Sequence, residues 1–542
     1  MTGVQVTPGL QARRAPGSWI GARAWSDRIT PAALIIALSA LGLGLRVYTL
    51  MRPGYLLGVT EYDDGSYFGS AVRLVQGQLP YRDFVFVQPP GITLLMAPVA
   101  LLAKATGTAT GLAIGRVITA LAGTASITLT GLLVRHRGRL AVLVACGICA
   151  VHPDAILAAH TVLVEPWLVL FCLIGALALF DGDGLTRSRK RLLWAGVALG
   201  FAGVVEAWAI VPVLVLIALT ARQPRRAVTL AGGVAAGFLI PTLPFAALAP
   251  ASFYRSVVTA QVGSRLNAVS VYSLYRVRLM AGLSDIAHAP VALVLIVTAL
   301  VCCFVLLGNL FAWSLLEQPP PALDWFAAVT GGLMALIFLV PPQFHYHFVG
   351  FLVPFLAMTV ALTAARVVQA VTRAGGLARP GRTARLAGLA RSGPAVLAML
   401  GIVVAGLVQF RYETGLQASI SSAQLAAARR VIPAGACVLA DEVSYLVLSD
   451  RFVTSDKNCP KIDDGTGVNY ALSHGLNTGT GAGQVPSVAA LWRSAFARAQ
   501  YVWLSVHAYK RIPWIPSLLA YFHTHFTRIR GVPSLRIYRR LG

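Results

Sequence analysis

"VTEYDDGSYFGSAVRLVQGQLPYRDFVFVQPPG" occupies Val59–Gly91, between apolar segments. It carries Glu61, Asp63, Asp64 and Asp83, four of only 20 acidic residues in 542. Its setting explains why so much acid in one place matters. The chain is 57% hydrophobic and 12% charged, whereas soluble domains carry about 25% charged residues. Apolar runs close to bilayer-crossing length recur along it, which defines a polytopic α-helical membrane protein. The acidic stretch is then a loop that follows the first hydrophobic span.

The formal charge is +25, and only five of the 45 basic residues are Lys. The Arg clusters lie between apolar runs, so they report positive-inside topology and contact with anionic headgroups. Membrane lipids are therefore the expected partner of this charge, and no nucleic acid is. Arg13, Arg14, Arg23 and Arg28 precede the first apolar run, which reads as a retained anchor. Eleven spans are expected, at roughly 31–51, 110–134, 140–157, 162–180, 191–205, 207–221, 227–249, 290–311, 323–341, 347–369 and 394–411. The run 91–104 is apolar but short, and reads as an interfacial or re-entrant helix. Loop charge supports that choice. With the N-terminus inside, "RHRGR" (135–139), "TRSRKR" (186–191), "RQPRR" (222–226) and the Arg-rich loop 370–392 all fall on one side. "HPDAILAAH" and "PPQFHYH", without Lys or Arg, fall on the other. A multi-pass protein of the plasma membrane is expected.

The expected organisation is a cytosolic tail (1–30), a membrane domain (31–411) whose first outer loop is 52–109, and an extracytoplasmic α/β domain (412–542). In the last part, "CVLAD" (437–441) and "YVWLS" (501–505) read as buried strands, "SVAALWRSAFARA" as an amphipathic helix, and "FTRIRG" and "LRIYRR" as closing strands. Cys437 and Cys459 are its only cysteines. In an oxidising exterior they would form a disulfide; the alternative is two buried thiols. Cys146 and Cys149 form a CxxC inside a span without His or acid partners, so a metal role is not assigned to them.

On this topology the exceptional polar residues gather on the outer face: Asp63, Asp64, His152, Asp154, His160, Glu165, Glu206, Arg265, His345 and His347. Ionisable groups beside apolar segments usually face a cavity or a partner. "DDGSYFGSAVRLVQG" reads as a helix headed by a carboxylate pair, and "QPPG" stops the chain before the 91–104 helix. A carboxylate can act as general base toward a hydroxyl. An adjacent pair also suits a divalent metal ion, with Asp63 and Asp64 as its ligands, or one acid orienting the other. A phosphate leaving group needs donors or positive charge. Gln88, Arg265, His345 and His347 are candidates, with Arg255, Arg276 and Arg278 competing in the loop that holds Arg265. The competing structural readings are a helix cap for Asp63, a first-turn acid for Glu165 and helix-end satisfaction for the histidines.

"YDDGSYFGSAVRLVQGQLPYRDFVFVQPPG" resembles the first outer loop of the GT-C glycosyltransferases, in particular the branch of protein mannosyltransferases and lipid A aminoarabinose transferases. That branch shows an Asp-Glu pair, a Tyr three residues on, a "G…PY.DF" element and an apolar helix anchored by Pro-Pro. Here these correspond to Asp63-Asp64, Tyr67 and Pro89-Pro90. "VLVEPW" (162–167), with Glu165, and "HYHFVGFLVPFLA" resemble later segments of the group. Several relatives carry Lys before the Pro pair, where this chain has Gln88. The resemblance implies a polyprenyl-phosphate sugar donor, a glycan or glycolipid acceptor, inversion at the anomeric carbon, Asp63 as general base and Asp64 as its support. Tyr67, Gln88, Arg265, His345, His347 and Glu165 would contact donor or substrate. An outer α/β domain and an Arg-over-Lys, Ala-rich composition suit an actinobacterial type, for which decaprenyl-phosphate arabinose or mannose is the leading donor. Two rival classes remain at this stage: a transporter or flippase of a lipid-linked or small substrate, and a non-catalytic envelope-assembly protein.

Overall fold

The computed structural model describes residues 30–262, 271–284, 286, 289–341, 344–376, 382–463, 485–532 and 534–542. Among them, seven helices are long and apolar enough to cross a membrane: Pro31–Leu50, Thr108–Arg137, Pro224–Leu248, Val291–Leu316, Ala322–Leu339, Phe348–Ala374 and Gly393–Glu413. An eighth span is made if Arg139–Val151 and Pro153–Ala159, which meet at 59°, count as one bent helix. The protein is thus a multi-pass membrane protein. Each of the eleven expected runs is helical, but three fall short of this length: Glu165–Leu179, Arg189–Val205 and Ile210–Thr220. At 1.5 Å per residue, a 15-residue helix reaches about 22 Å against a hydrocarbon core of about 30 Å. Glu206 explains the break between two of them. Its backbone leaves the helix at φ −158°, and its carboxylate accepts from the Ala207 N–H at the start of the next helix.

Apolar helices in lipid gain little from mere contact, so close approach has to come from small residues. Gly196 and Gly200 on the Arg189–Val205 helix face Gly233 and Gly237 on Pro224–Leu248. A Cβ on any of the four would sit 2.2–2.4 Å from a carbonyl oxygen of the opposite helix. The two backbones therefore touch. The apolar run after the Pro pair forms the Gly91–Thr106 helix, and Gly107, at φ +91°, turns the chain directly into Thr108–Val134.

Residues 438–540 carry a four-stranded sheet. Val438–Ala440 pairs in parallel with Tyr501–Leu504, which pairs antiparallel with Arg536–Arg540, which pairs antiparallel with Phe526–Arg528. The alternation of strand side chains serves two cores. Val438, Ala440, Trp503 and Ile537 join the large core that continues into the membrane helices. Leu439, Val502 and Leu504 face a second core with Trp492, Phe496 and Phe522 from the Pro486–Arg498 and Pro516–His525 helices. Cys437 and Cys459 are joined by a disulfide.

This sheet-bearing segment is fastened to the 52–109 loop at several points. Val59 N donates to the Ile420 carbonyl, and Ser419 N donates back to the Val59 carbonyl, both within 2.9 Å. Arg73 pairs with the buried Asp463 carboxylate, and Ser66 Oγ donates to the Asp463 carbonyl at 2.7 Å. Asp450 accepts from Ala109 N at 2.8 Å and so caps the Thr108–Val134 helix from a distant part of the chain. A Cβ on Gly65 would lie 2.3 Å from Ser444 N, so the Asp63–Val75 and Val443–Leu448 helices pack backbone against backbone there.

Candidate active site

Asp63 and Asp64 open the Asp63–Val75 helix, with Tyr62 as the N-cap residue and no side-chain cap. Successive helical residues point about 100° apart, and the two carboxylates end in opposite surroundings. Asp64 is fully buried. Its Oδ2 accepts from Arg116 Nη2 at 2.5 Å, Arg116 Nε at 3.1 Å and Thr161 Oγ1 at 2.6 Å, and its Oδ1 accepts from Ser444 Oγ at 2.9 Å. Arg116, also fully buried, spends Nη1 on the carbonyls of Leu56 and Gly58. Asp64 thus ties the first loop, the Thr108–Val134 helix, the stretch before the Glu165–Leu179 helix and the C-terminal segment together. With three hydrogen bonds on Oδ2, one on Oδ1 and the Arg116 charge against it, its carboxylate is already satisfied as a buried ion pair. Among the described residues, no group of three or more His, Cys, Asp or Glu could hold a metal ion. The pair does not fit the divalent-metal expectation, and no step is routed through a metal.

Asp63 keeps 31% of its side chain exposed and lies 3.9 Å from Nε2 of His347. His347 Nδ1 is 2.7 Å from Oε1 of the buried Glu165. Burial pulls the His347 pKa down, but Glu165, by charge and by hydrogen bond, and then Asp63 and Glu61 outweigh it and hold it at about 9. At neutral pH an imidazolium therefore stands between two carboxylates. His345 stacks on the His347 ring, with centroids 5.4 Å apart and planes at 17°. Tyr346 O–H donates to Glu61 Oε2 at 2.7 Å. The "HYH" segment thus brings Tyr346 and His347 to the carboxylates of the first loop, with His345 stacked on His347.

An amide and phenol chain lies within reach of the Asp63 charge. Gln88 Nε2 donates to Tyr67 Oη at 3.2 Å, and Gln261 Nε2 donates to Gln88 Oε1 at 3.2 Å and to the Val87 carbonyl at 2.8 Å. Burial, and then the charges of Asp63, Glu165 and Glu206, push the Tyr67 hydroxyl well above its ordinary range, so it remains a neutral phenol.

The structure therefore gathers Asp63, Tyr67, Gln88, Glu165, His345 and His347 and gives Asp64 a buried anchoring position. Arg265 lies outside the described residues. Arg276 and Arg278 spend guanidinium donors on backbone carbonyls, of Phe338 and Pro341 and of Leu283 and Ile286 respectively. Sequence reasoning missed Arg116, Thr161, Ser444, Gln261 and the roles of Glu61 and Tyr346. An Arg inside an otherwise apolar span was the one available signal for Arg116.

Comparisons with known proteins place this arrangement in a fold. The chain is similar to ArnT from Cupriavidus metallidurans in the apo state, at 14% identity over 90% of this chain and 94% of that one, with a TM-score of 0.55. It is similar to the same enzyme bound to undecaprenyl phosphate, at 16% identity over 90% and 94%, with a TM-score of 0.52. A third likeness is to the oligosaccharyltransferase of Archaeoglobus fulgidus tethered to an acceptor peptide, at 12% identity over 96% of this chain and 75% of that one, with a TM-score of 0.53. The chain thus shares its fold with these proteins. The sequence model of glycosyltransferase family 87 matches residues 86–342, a little under half of the chain. No curated protein sequence matches.

Proposed function

We propose that this protein is a membrane glycosyltransferase that moves a sugar, arabinose or mannose, from a polyprenyl-phosphate donor to a glycan or glycolipid of the cell envelope. The observation that carries the reading is the division of labour between two adjacent carboxylates. Asp64 is paired with Arg116 out of solvent, while Asp63 is part exposed beside the His347–Glu165 pair. The fold shared with an enzyme whose structure holds undecaprenyl phosphate supports the lipid-linked donor, and the family 87 match supports the transfer chemistry.

In the proposed reaction, Asp63 accepts the proton of an acceptor hydroxyl. The acceptor oxygen bonds to the anomeric carbon from the face opposite the phosphate. The bond from that carbon to the phosphate oxygen breaks, and its electron pair leaves with polyprenyl phosphate, so the configuration inverts. The imidazolium of His347 keeps Asp63 ionised and oriented, and Glu165 holds the ring. Gln88, with Arg265, supplies donors toward the phosphate, while Gln261 and Tyr67 hold Gln88 in place.

The reaction face is proposed to be extracytoplasmic, with the N-terminus in the cytosol and the C-terminal α/β segment outside the plasma membrane. The Cys437–Cys459 disulfide supports an oxidising compartment for that segment, and the Arg-rich loops support the opposite side as cytosolic. The test is transfer from labelled decaprenyl-phosphate arabinose or mannose by purified wild type and Asp63→Asn. Product from wild type, with a loss of about 10²–10⁴-fold in the variant, supports the reading. Equal transfer by both overturns Asp63 as base. Failure of wild type to bind either donor overturns the substrate class and favours a transporter of lipid-linked substrates.

A further inference from the structure

A cavity opens where the first loop meets the C-terminal segment, with Glu61 in its wall. Its volume is about 320 Å³, within the range of about 300–1,000 Å³ for small-molecule sites. Glu61, Tyr62, Glu442, Tyr445, Trp503 and Arg511 form much of its wall. Nothing in the reaction described above uses Glu442, Trp503 or Arg511.

Three features give this cavity its chemistry. Aromatic rings line it: Tyr445 and Trp503 pack with centroids 5.1 Å apart, and Tyr62 lies 4.2 Å beneath the Arg511 guanidinium. Charged groups of both signs lie among the rings, held rather than free. Arg511 donates to Glu442 Oε2 at 2.6 Å, and Glu442, 6% exposed, has its pKa pushed to about 7, by burial in the first place and against the pull of Arg511. Finally, two polar groups of the wall have no hydrogen-bond partner among the described residues: Trp503 Nε1, on a side chain that is fully buried, and Thr60 Oγ1. An unsatisfied buried donor costs about 1–3 kcal/mol unless something supplies an acceptor.

We propose that this cavity is a carbohydrate subsite that holds a sugar unit of the acceptor glycan; the assignment rests on the glycosyltransferase reading above. Sugar rings stack their C–H faces on aromatic rings and present hydroxyls that both donate and accept. Carboxylate, guanidinium, indole N–H and threonine hydroxyl together match that pattern, whereas a lipid tail would match none of it and a nucleic acid would meet two carboxylates. Glu61 joins the subsite to the reaction centre. It lines the cavity, it accepts from Tyr346, and it precedes Asp63 by two residues. A glycan seated here is thereby directed at the general base, and its class of acceptor is a polyol chain rather than a peptide.

The experiment uses the full-length protein in detergent, with arabinotriose and mannotriose as probes, and measures binding by calorimetry and by saturation-transfer NMR. Decaprenyl-phosphate binding serves as the control for an intact donor side. Two variants report on the cavity. Trp503→Phe keeps an aromatic ring, though a smaller one, and removes the N–H. His507→Ala removes an exposed side chain of the rim. Binding of at least one trisaccharide to wild type, weakened about tenfold by Trp503→Phe and measurably by His507→Ala, with decaprenyl-phosphate binding retained, supports the subsite. Binding that neither variant alters overturns its location. Absence of trisaccharide binding in a protein that does transfer sugar to an envelope acceptor overturns the carbohydrate subsite and leaves the enzyme reading standing. Trisaccharide binding that responds to the variants, in a protein that transfers from neither donor, has the reverse meaning.

Discussion

Arg116 holds Asp64 with Nη2 2.5 Å from Oδ2, both side chains wholly out of solvent, while the neighbouring Asp63 remains part exposed. Breaking a buried pair by removing one partner strands the other charge and costs about 3–5 kcal/mol. Arg116→Ala and Asp64→Ala are therefore expected to lower the melting temperature strongly and to cut the yield of folded protein. Asp63→Asn is expected to leave the melting temperature close to wild type while transfer is lost. Thermal unfolding of the three purified variants checks this. A stable Asp64→Ala, or an unstable Asp63→Asn, would contradict the assignment of one carboxylate to structure and the other to chemistry.

His347 gives the site a pH dependence whose sign is fixed. Its pKa is about 9 in the folded protein, against an ordinary value of 6.5. A cation whose pKa rises on folding stabilises fully below 6.5, and that contribution fades as pH climbs through 9. It amounts to no more than about 3 kcal/mol. Wild type should lose melting temperature between pH 6.5 and about 9.5 faster than His347→Gln, and the two curves should converge at the alkaline end. Parallel curves across that window would show that His347 is neutral at pH 7.

Gly65 lets the Asp63–Val75 helix lie directly on the Val443–Leu448 helix, since a Cβ there would stand 2.3–2.4 Å from the backbone and hydroxyl of Ser444. Ser444 is also the residue that donates to Asp64. Gly65→Ala should force the two helices apart, at a cost of about 1–3 kcal/mol, and expose the sheet-bearing segment. Limited proteolysis reads this as faster cleavage within 412–542. An unchanged cleavage pattern would mean that the two helices can slide without parting.

Hydrophobic run length was enough to locate a helix at each expected span, though not the Pro250–Tyr254 and Ser273–Met280 helices, and loop charge separated the short Gly91–Thr106 helix from the spans. Short apolar runs likewise revealed the strands around Leu439 and Val502. Residues whose chemistry is local were legible too: Asp63 and Asp64 beside a turn, Glu165 at a helix start, the histidines before an apolar run. What the sequence concealed depends on distant pairing. Nothing near Asp64 announces that Arg116, Thr161 and Ser444 converge on it, because these contacts join positions 52, 97 and 380 residues apart. The carboxylate pair therefore read as two equivalent acids until the fold distinguished them. Three helices were read as spans on apolarity alone, whereas Glu206 and the length of each segment make them shorter than the bilayer core is thick.

Gln88 stands where several of the glycosyltransferases that the first loop resembles have Lys, and it is held from both ends, donating to Tyr67 and accepting from Gln261. If this chain orients neutral amide donors at the phosphate, affinity for the donor rests on geometry more than on charge. Gln88→Ala removes the middle of the chain and should raise KM for the polyprenyl-phosphate sugar about tenfold, with kcat changing less, as expected for lost ground-state binding. Gln88→Lys supplies a charge-assisted donor at the same place but cannot accept from Gln261. A lower KM with Lys would show that phosphate charge dominates at this position. A KM as high as that of the Ala variant would show that the Tyr67–Gln88–Gln261 chain orders the loop around the donor, and that the charge carried by Lys in relatives has been replaced here by a fixed hydrogen-bond array.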